Sequence, residues 1–133
     1  MSEYKNQIDN EFYNYLSSIK PTLTKIKEFI SNGANINAID EYSESLLSKI
    51  ILEKGRTKYG IKIVKWLIDL GANIDYQDKD GSTALFDATI VHCFEIVSYL
   101  LKKGANPNLF SENPEETVLG LADFDYFYHS TLN

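Results

Sequence analysis

Residues 78–110 read DKDGSTALFDATIVHCFEIVSYLLKKGANPNLF, and this stretch decides the fold. Its second half puts Ile96, Val97, Leu100 and Leu101 at helical spacing, so one face of a helix is apolar. That helix runs into Gly104-Ala105-Asn106. The same triplet stands at Gly33-Ala34-Asn35 and at Gly71-Ala72-Asn73, so the three copies lie 38 and 33 residues apart, a spacing that marks stacked repeats. Ile26, Phe29 and Ile30 precede the first copy at helical spacing, and Ile63, Val64, Leu67 and Ile68 precede the second. Glycine suits the residue after a helix because, without a Cβ, it takes left-handed dihedrals at no steric cost and lets the chain turn away. The spacing predicts three helices that end alike.

The 33-residue stretch resembles the ankyrin repeat, whose pattern is D-x-x-G-x-T-P-L-H-x-A, a second helix, then G-A-D/N. Asp78, Gly81, Thr83, Leu85, Ala88, Ile96, Val97, Leu100, Leu101, Gly104, Ala105 and Asn106 fall at pattern positions. Ala84 and Phe86 replace the usual Pro and His, so the hydrogen bonds of that histidine are lost. The unit before it, residues 40–77, is five residues longer, with the surplus between its two helices at residues 53–60, where Gly55 reads as part of a loop. Ser43, Ser45 and Leu46 stand where Gly, Thr and Pro are expected, which predicts altered geometry at that hairpin tip and helix entry. Upstream, Ile8, Phe12, Leu16 and Ile19 recur at helical spacing and Pro21 suits the first turn of a second helix, so residues 1–39 read as an N-terminal capping helix pair. Residues 117–122 resemble the start of another unit, and residues 111–133 read as a truncated C-terminal cap. The resemblance implies one all-α domain over residues 1–133. It would be an ankyrin-repeat solenoid of helix–turn–helix units with short β-hairpin loops, two full repeats (40–77 and 78–110) plus N- and C-terminal capping units.

Composition narrows the function classes. Hydrophobic residues at 44% and charged residues at 24% are ordinary for a folded soluble domain. A net charge of −6 opposes direct binding to nucleic acid or to anionic membranes, both of which rely on clustered Lys and Arg. No apolar stretch is long enough to span a bilayer, and the polar N-terminus lacks the regions of a signal peptide, so a cytoplasmic protein is expected. The lone Cys93, which has no internal partner for a disulfide, agrees with a reducing compartment. No catalytic residue, metal or cofactor is expected. His92, Cys93 and Asp87 lack further ligands at zinc-like spacing, and the chain holds no glycine-rich phosphate loop, G-x-S-x-G elbow or H-E-x-x-H helix.

Ankyrin arrays bind proteins through hairpin tips and the exposed face of each first helix, and the resemblance carries those positions over residue by residue. In residues 78–110 they fall on Lys79, Asp80, Ser82, Ile90 and Val91, with Phe110 at the hairpin base. In the longer unit they fall on Glu41, Tyr42, Glu44, Leu52, Glu53 and Gln77; Tyr76 and Glu112 complete the candidate partner-binding set. Tyr42, Tyr76 and Phe110 read as interface anchors, with packing between neighbouring hairpins the alternative for Tyr76 and Phe110, and residues 124–128 (FDYFY) either bind or cover the last helix. Asp40, Glu41, Glu44, Asp75, Asp78, Asp80, Glu112, Glu115 and Glu116 gather on successive hairpins, whereas Lys62, Lys65, Lys102 and Lys103 fall on second helices. Such an acidic edge would steer a basic partner. The expectation is a non-catalytic protein–protein binding module, a monomer or one half of a 1:1 heterocomplex. Its most specific form is a stoichiometric inhibitor, an immunity protein or antitoxin, of a basic nucleic-acid-acting toxin. The alternative is an adaptor or scaffold, or a secreted effector that joins host proteins.

Overall fold

The computed structural model of the chain describes residues 4–109. Among them six α-helices follow in pairs: α1 (Gln7–Leu16) and α2 (Leu23–Ser31), α3 (Leu46–Lys54) and α4 (Lys58–Asp69), α5 (Ala84–Ile90) and α6 (Phe94–Lys102). Ser or Thr hydroxyls start four of them, because Thr22, Ser45, Thr57 and Thr83 each accept a backbone N–H from three residues on. The expected hairpins are tight turns. Asp40 N–H donates to the Glu44 carbonyl and Asp78 N–H to the Ser82 carbonyl, and only an isolated bridge between Ile39 and Ser45 extends this pairing among the described residues.

Each residue of the Gly-Ala-Asn triplet has its own task. Gly33, Gly71 and Gly104 take φ of 102°, 101° and 94°. With them the α2, α4 and α6 ends make the same pair of bonds. The glycine N–H donates three residues back into the helix, to Ile30, Ile68 and Leu101, and the alanine N–H donates five residues back, to Phe29, Leu67 and Leu100. The alanines are buried because the chain must pass close to the helix it has just left. Each asparagine closes the following turn with its side chain, as Asn35 Oδ1 accepts from Asn37 N–H at 2.9 Å. Asn73 and Asn106 do the same for Asp75 and Asn108. Its backbone N–H is in turn held from earlier in the chain: Asn35 by Asp9, Asn73 by Asn37 and Asn106 by Asp75, at 2.8, 2.7 and 2.9 Å. These side chains lace successive turns into a ladder.

With the ends fixed, α3 packs beside α5 and α4 beside α6. Leu46, Ile50, Ile51, Ile63, Val64, Leu67, Leu85, Ile96 and Leu100 form the buried interior between them, with Phe12, Leu16 and Ile26 at the α1–α2 end. Burial of these side chains is the main favourable term, at about 1.5–3 kcal/mol for each large aliphatic removed from water.

Several expectations change on contact with the structure. Ser43 does not alter its turn: it takes φ of 64°, the left-handed region that Gly81 occupies with φ of 83°, and the Asp40 and Asp78 turns share the same bonds. The five surplus residues do not form a loop. Relative to α5 and α6, α3 is two residues longer and α4 three residues longer, and the connection between helices stays three residues long. Gly60 makes this possible, because a methyl group there would overlap the Lys54 carbonyl. The lengthened helices tie both neighbours: Glu53 accepts from the Tyr13 hydroxyl, Lys54 Nζ donates to the Ser17 and Ser18 carbonyls, and Arg56 Nε donates to the Val91 carbonyl. Ile19 lies outside α1 and is 84% exposed, since the Ser18 hydroxyl takes the Tyr15 carbonyl as the helix ends. Pro21 precedes the Thr22 cap and is not in the first turn of α2. The proposed C-terminal cap, residues 124–128, Phe110, Glu112 and His129 lie outside the described residues.

The turn geometry predicts two substitutions of opposite sign. No atom lies within 4 Å of a Cβ placed on Gly104, so Gly104→Ala should cost only the backbone penalty, about 1–2 kcal/mol, in urea denaturation. Ser43→Gly relieves the same conformation and should be neutral or stabilising, by up to about 1 kcal/mol.

Candidate functional site

The first helices α3 and α5 enter from equivalent turns, capped by Ser45 and Thr83, and so present equivalent residues. Leu52 and Ile90 share one register and are 41% and 51% exposed. On the turns before them, Tyr42 is 56% exposed and Glu41, Lys79 and Asp80 are open to solvent. Glu44, Ser82 and Val91 are half-buried, and Gln77 is exposed. The structure therefore places Glu41, Tyr42, Glu44 and Leu52 on one unit alongside Lys79, Asp80, Ser82 and Ile90 on the next. Three of the candidates are engaged within the fold. Tyr76 donates its hydroxyl to the Ser43 carbonyl at 2.7 Å, so of its two open roles it packs between turns; the Val91 carbonyl accepts from Arg56; and Glu53 accepts from Tyr13.

The acids divide in the same way. Asp40 is buried, its Oδ1 accepting from Tyr42 and Glu44 N–H while Oδ2 faces Lys49 Nζ at 3.3 Å. Burial pushes its carboxyl up, but those N–H groups and Lys49 outweigh it and hold the carboxyl below the usual range. Asp78 accepts from Asp80 and Ser82 N–H, and Asp75 from Asn106. These three build turns. Of the candidate acids, Glu41 and Asp80 are exposed, Glu44 is half-buried, and Glu53 is shared with Tyr13. Glu44 is pushed above its ordinary value by burial and then by the charge of Asp40.

Sequence reasoning missed the buried Lys49. Its ammonium sits 4.3 Å from the Tyr13 ring centre and 5.3 Å from that of Tyr4, besides the Asp40 pair, so cation–π attraction and an ion pair replace the water it has lost. The signal was a lysine inside the apolar run from Leu46 to Leu52. Burial, followed by the Glu53 hydrogen bond, pushes the Tyr13 phenol up to about 12.

A family model described as ankyrin repeats, three copies, matches residues 16–111. The chain belongs to the ankyrin-repeat family. It is 32% identical over 106 residues to an ankyrin repeat protein of Acanthamoeba polyphaga mimivirus, which covers 78% of this chain and 64% of that one. It is 33% identical over 95 residues to one from Rickettsia bellii, at 71% of this chain and 27% of the relative. A Fowlpox virus ankyrin repeat protein is 31% identical over 97 residues, 73% and 21% of the two chains. The chain thus spans less than two thirds of the length of each of these relatives. Ankyrin repeats are protein–protein interaction modules. Among the described residues no helix is long and apolar enough to cross a membrane.

The ankyrin frame also places the residues once weighed for chemistry. His92 ends α5 at φ of 58°, with its N–H bonded to the Thr89 carbonyl, the position glycine fills after α2, α4 and α6. Cys93 follows, buried, as alanine does there. Among the described residues no three His, Cys, Asp or Glu side chains gather to hold a metal. Asp87, on α5, is 7% exposed. Burial pushes its carboxyl up to about 7, the charges of Asp78 and Glu44 add to the rise, and a hydrogen bond with Ser48 on α3 opposes it. In the unfolded chain the same group titrates near 3.8. The folded state therefore holds a proton that the unfolded state has released, and this stabilisation, complete below the lower value, is lost as pH rises through about 7. Asp40 acts oppositely, its contribution being lost only as pH falls through its depressed value. The urea midpoint should accordingly fall between about pH 5 and about pH 8, and Asp87→Asn should flatten that slope.

Proposed function

We propose that this ankyrin module binds a basic protein one to one through Tyr42, Glu44, Leu52, Asp80 and Ile90, and acts by occlusion without bond chemistry of its own. The observation that carries the reading is the exposure of Leu52 and Ile90 at one register on adjacent first helices, with the exposed carboxylates of Glu41 and Asp80 on the turns before them. Two aliphatic side chains left in water on a folded surface gain about 0.8 kcal/mol per buried methylene once a partner covers them. Carboxylates around them favour a partner rich in Lys and Arg, and speed its encounter more than they raise final affinity.

The sharper form of the proposal is a stoichiometric inhibitor of a nucleic-acid-acting toxin, an immunity protein or antitoxin. An enzyme that holds a phosphate backbone needs a cationic site. An apolar strip flanked by carboxylates fits such a site and excludes its substrate. Co-purification with the protein encoded beside this gene, followed by a titrated activity assay, tests it. Inhibition should be complete at equal molarity; an uninhibited partner would end the inhibitor reading. Leu52→Asp and Ile90→Asp should each weaken binding by about 2 kcal/mol or more, while unfolding shifts by only about 1 kcal/mol, the cost of an acid in the last turn of a helix at a half-exposed site.

A further inference from the structure

The lengthening of α4 has a consequence on the opposite wall of the stack. Aligned through their glycine endings, α4 begins three residues before α6, and those residues are Lys58, Tyr59 and Gly60. The longer helix overhangs the shorter one. Lys58, Ile61, Lys62 and Lys65 from α4 and Glu95 from α6 line a groove of about 460 Å³ at this step. Lys58, Lys62 and Lys65 fall on one face of α4 by their spacing, and the first turn of α4 contains no acidic residue. Lys58 exists at this place only because of the insertion, since a helix as short as α6 would begin at Ile61.

The cations of the groove are open to a ligand. Lys58 and Lys62 are exposed, and the Lys62 ammonium rests 5.2 Å from the ring centre of Trp66. Lys65 pairs with Glu95 at 2.9 Å, with the two side chains 33% and 59% exposed. An exposed pair of this kind contributes about 0–1 kcal/mol, so a ligand carboxylate can replace Glu95 at little cost. Ile61 is a half-buried apolar floor between the lysines. In a chain of net charge −6, three lysines against one glutamate make this groove a local excess of positive charge.

We propose that this groove binds an acidic segment of a protein, with glutamate or aspartate side chains on Lys58, Lys62 and Lys65 and an aliphatic side chain on Ile61. A peptide fits better than nucleic acid. The apolar floor of Ile61 calls for an aliphatic side chain, which a polyphosphate backbone does not offer. The site is independent of the α3–α5 face, so the module carries two faces of opposite charge.

Trp66 is the single tryptophan of the chain and reports on this wall. The full chain is titrated with a synthetic peptide alternating glutamate and leucine, following Trp66 emission and, in parallel, heat by calorimetry. Saturable binding is expected, weakening with added salt and at least ~10-fold weaker in the Lys58→Glu/Lys62→Glu variant. The milder Lys58→Gln/Lys62→Gln variant should be intermediate, and circular dichroism should show the same helix content in all three. Ile90→Asp should bind the peptide like the parent, which separates this site from the proposed partner face. Absence of saturable binding, or unchanged affinity in the charge-reversed variant, would overturn the proposal. Equal or tighter binding of a single-stranded oligonucleotide would overturn it as well, making the groove a general polyanion site.

Discussion

The left-handed turn after each second helix is the constraint from which the rest of the structure follows. It satisfies the last carbonyls of the helix and presses an alanine against the helix that has just ended. It also aims the asparagine N–H at an acceptor from earlier in the chain. Because the geometry is repeated after α2, α4 and α6, the helices arrive in parallel rows, and the apolar faces of those rows meet without further instruction. The same two bonds recur after α5, where His92 takes the strained conformation instead of glycine. The backbone solution is therefore more general than the residue that most easily adopts it.

Much of this was legible in the sequence. The triplet spacing gave the helix ends, and the apolar residues before each copy gave the buried faces, because helix period and chain reversal are both local properties. What the sequence concealed was long-range or compensatory. Ser43 looked like a broken turn because its neighbourhood, which tolerates φ of 64°, cannot be read from its side chain. Residues 53–60 looked like a loop because a glycine next to lysine and arginine is ambiguous, and only the close approach to the Lys54 carbonyl shows why Gly60 permits a helix there.

The candidate binding face was legible in part. Tyr42, Leu52, Asp80 and Ile90, carried over from the family resemblance, are exposed, two on turns and two at the ends of first helices. The acids were harder to sort. Asp40, Asp75 and Asp78 sit in the same sequence neighbourhoods as Glu41 and Asp80, yet their places in the turns set backbone N–H groups against them, of their own turn for Asp40 and Asp78 and of the next for Asp75. Lys49 was overlooked because its partners Tyr4, Tyr13 and Asp40 come from other elements. A buried cation is visible in a sequence only through its incongruity.

The five extra residues of the middle unit would ordinarily be taken as slack in an otherwise regular array. Glu53 and Lys54 reach back to α1 and the turn after it, and Arg56 reaches forward to the turn between α5 and α6. The departure from the period thus acts as a rivet between three successive units. Natural variation that trimmed this unit back to 33 residues would restore the symmetry of the array and cut its cohesion in the same step, so regularity and strength are here in opposition.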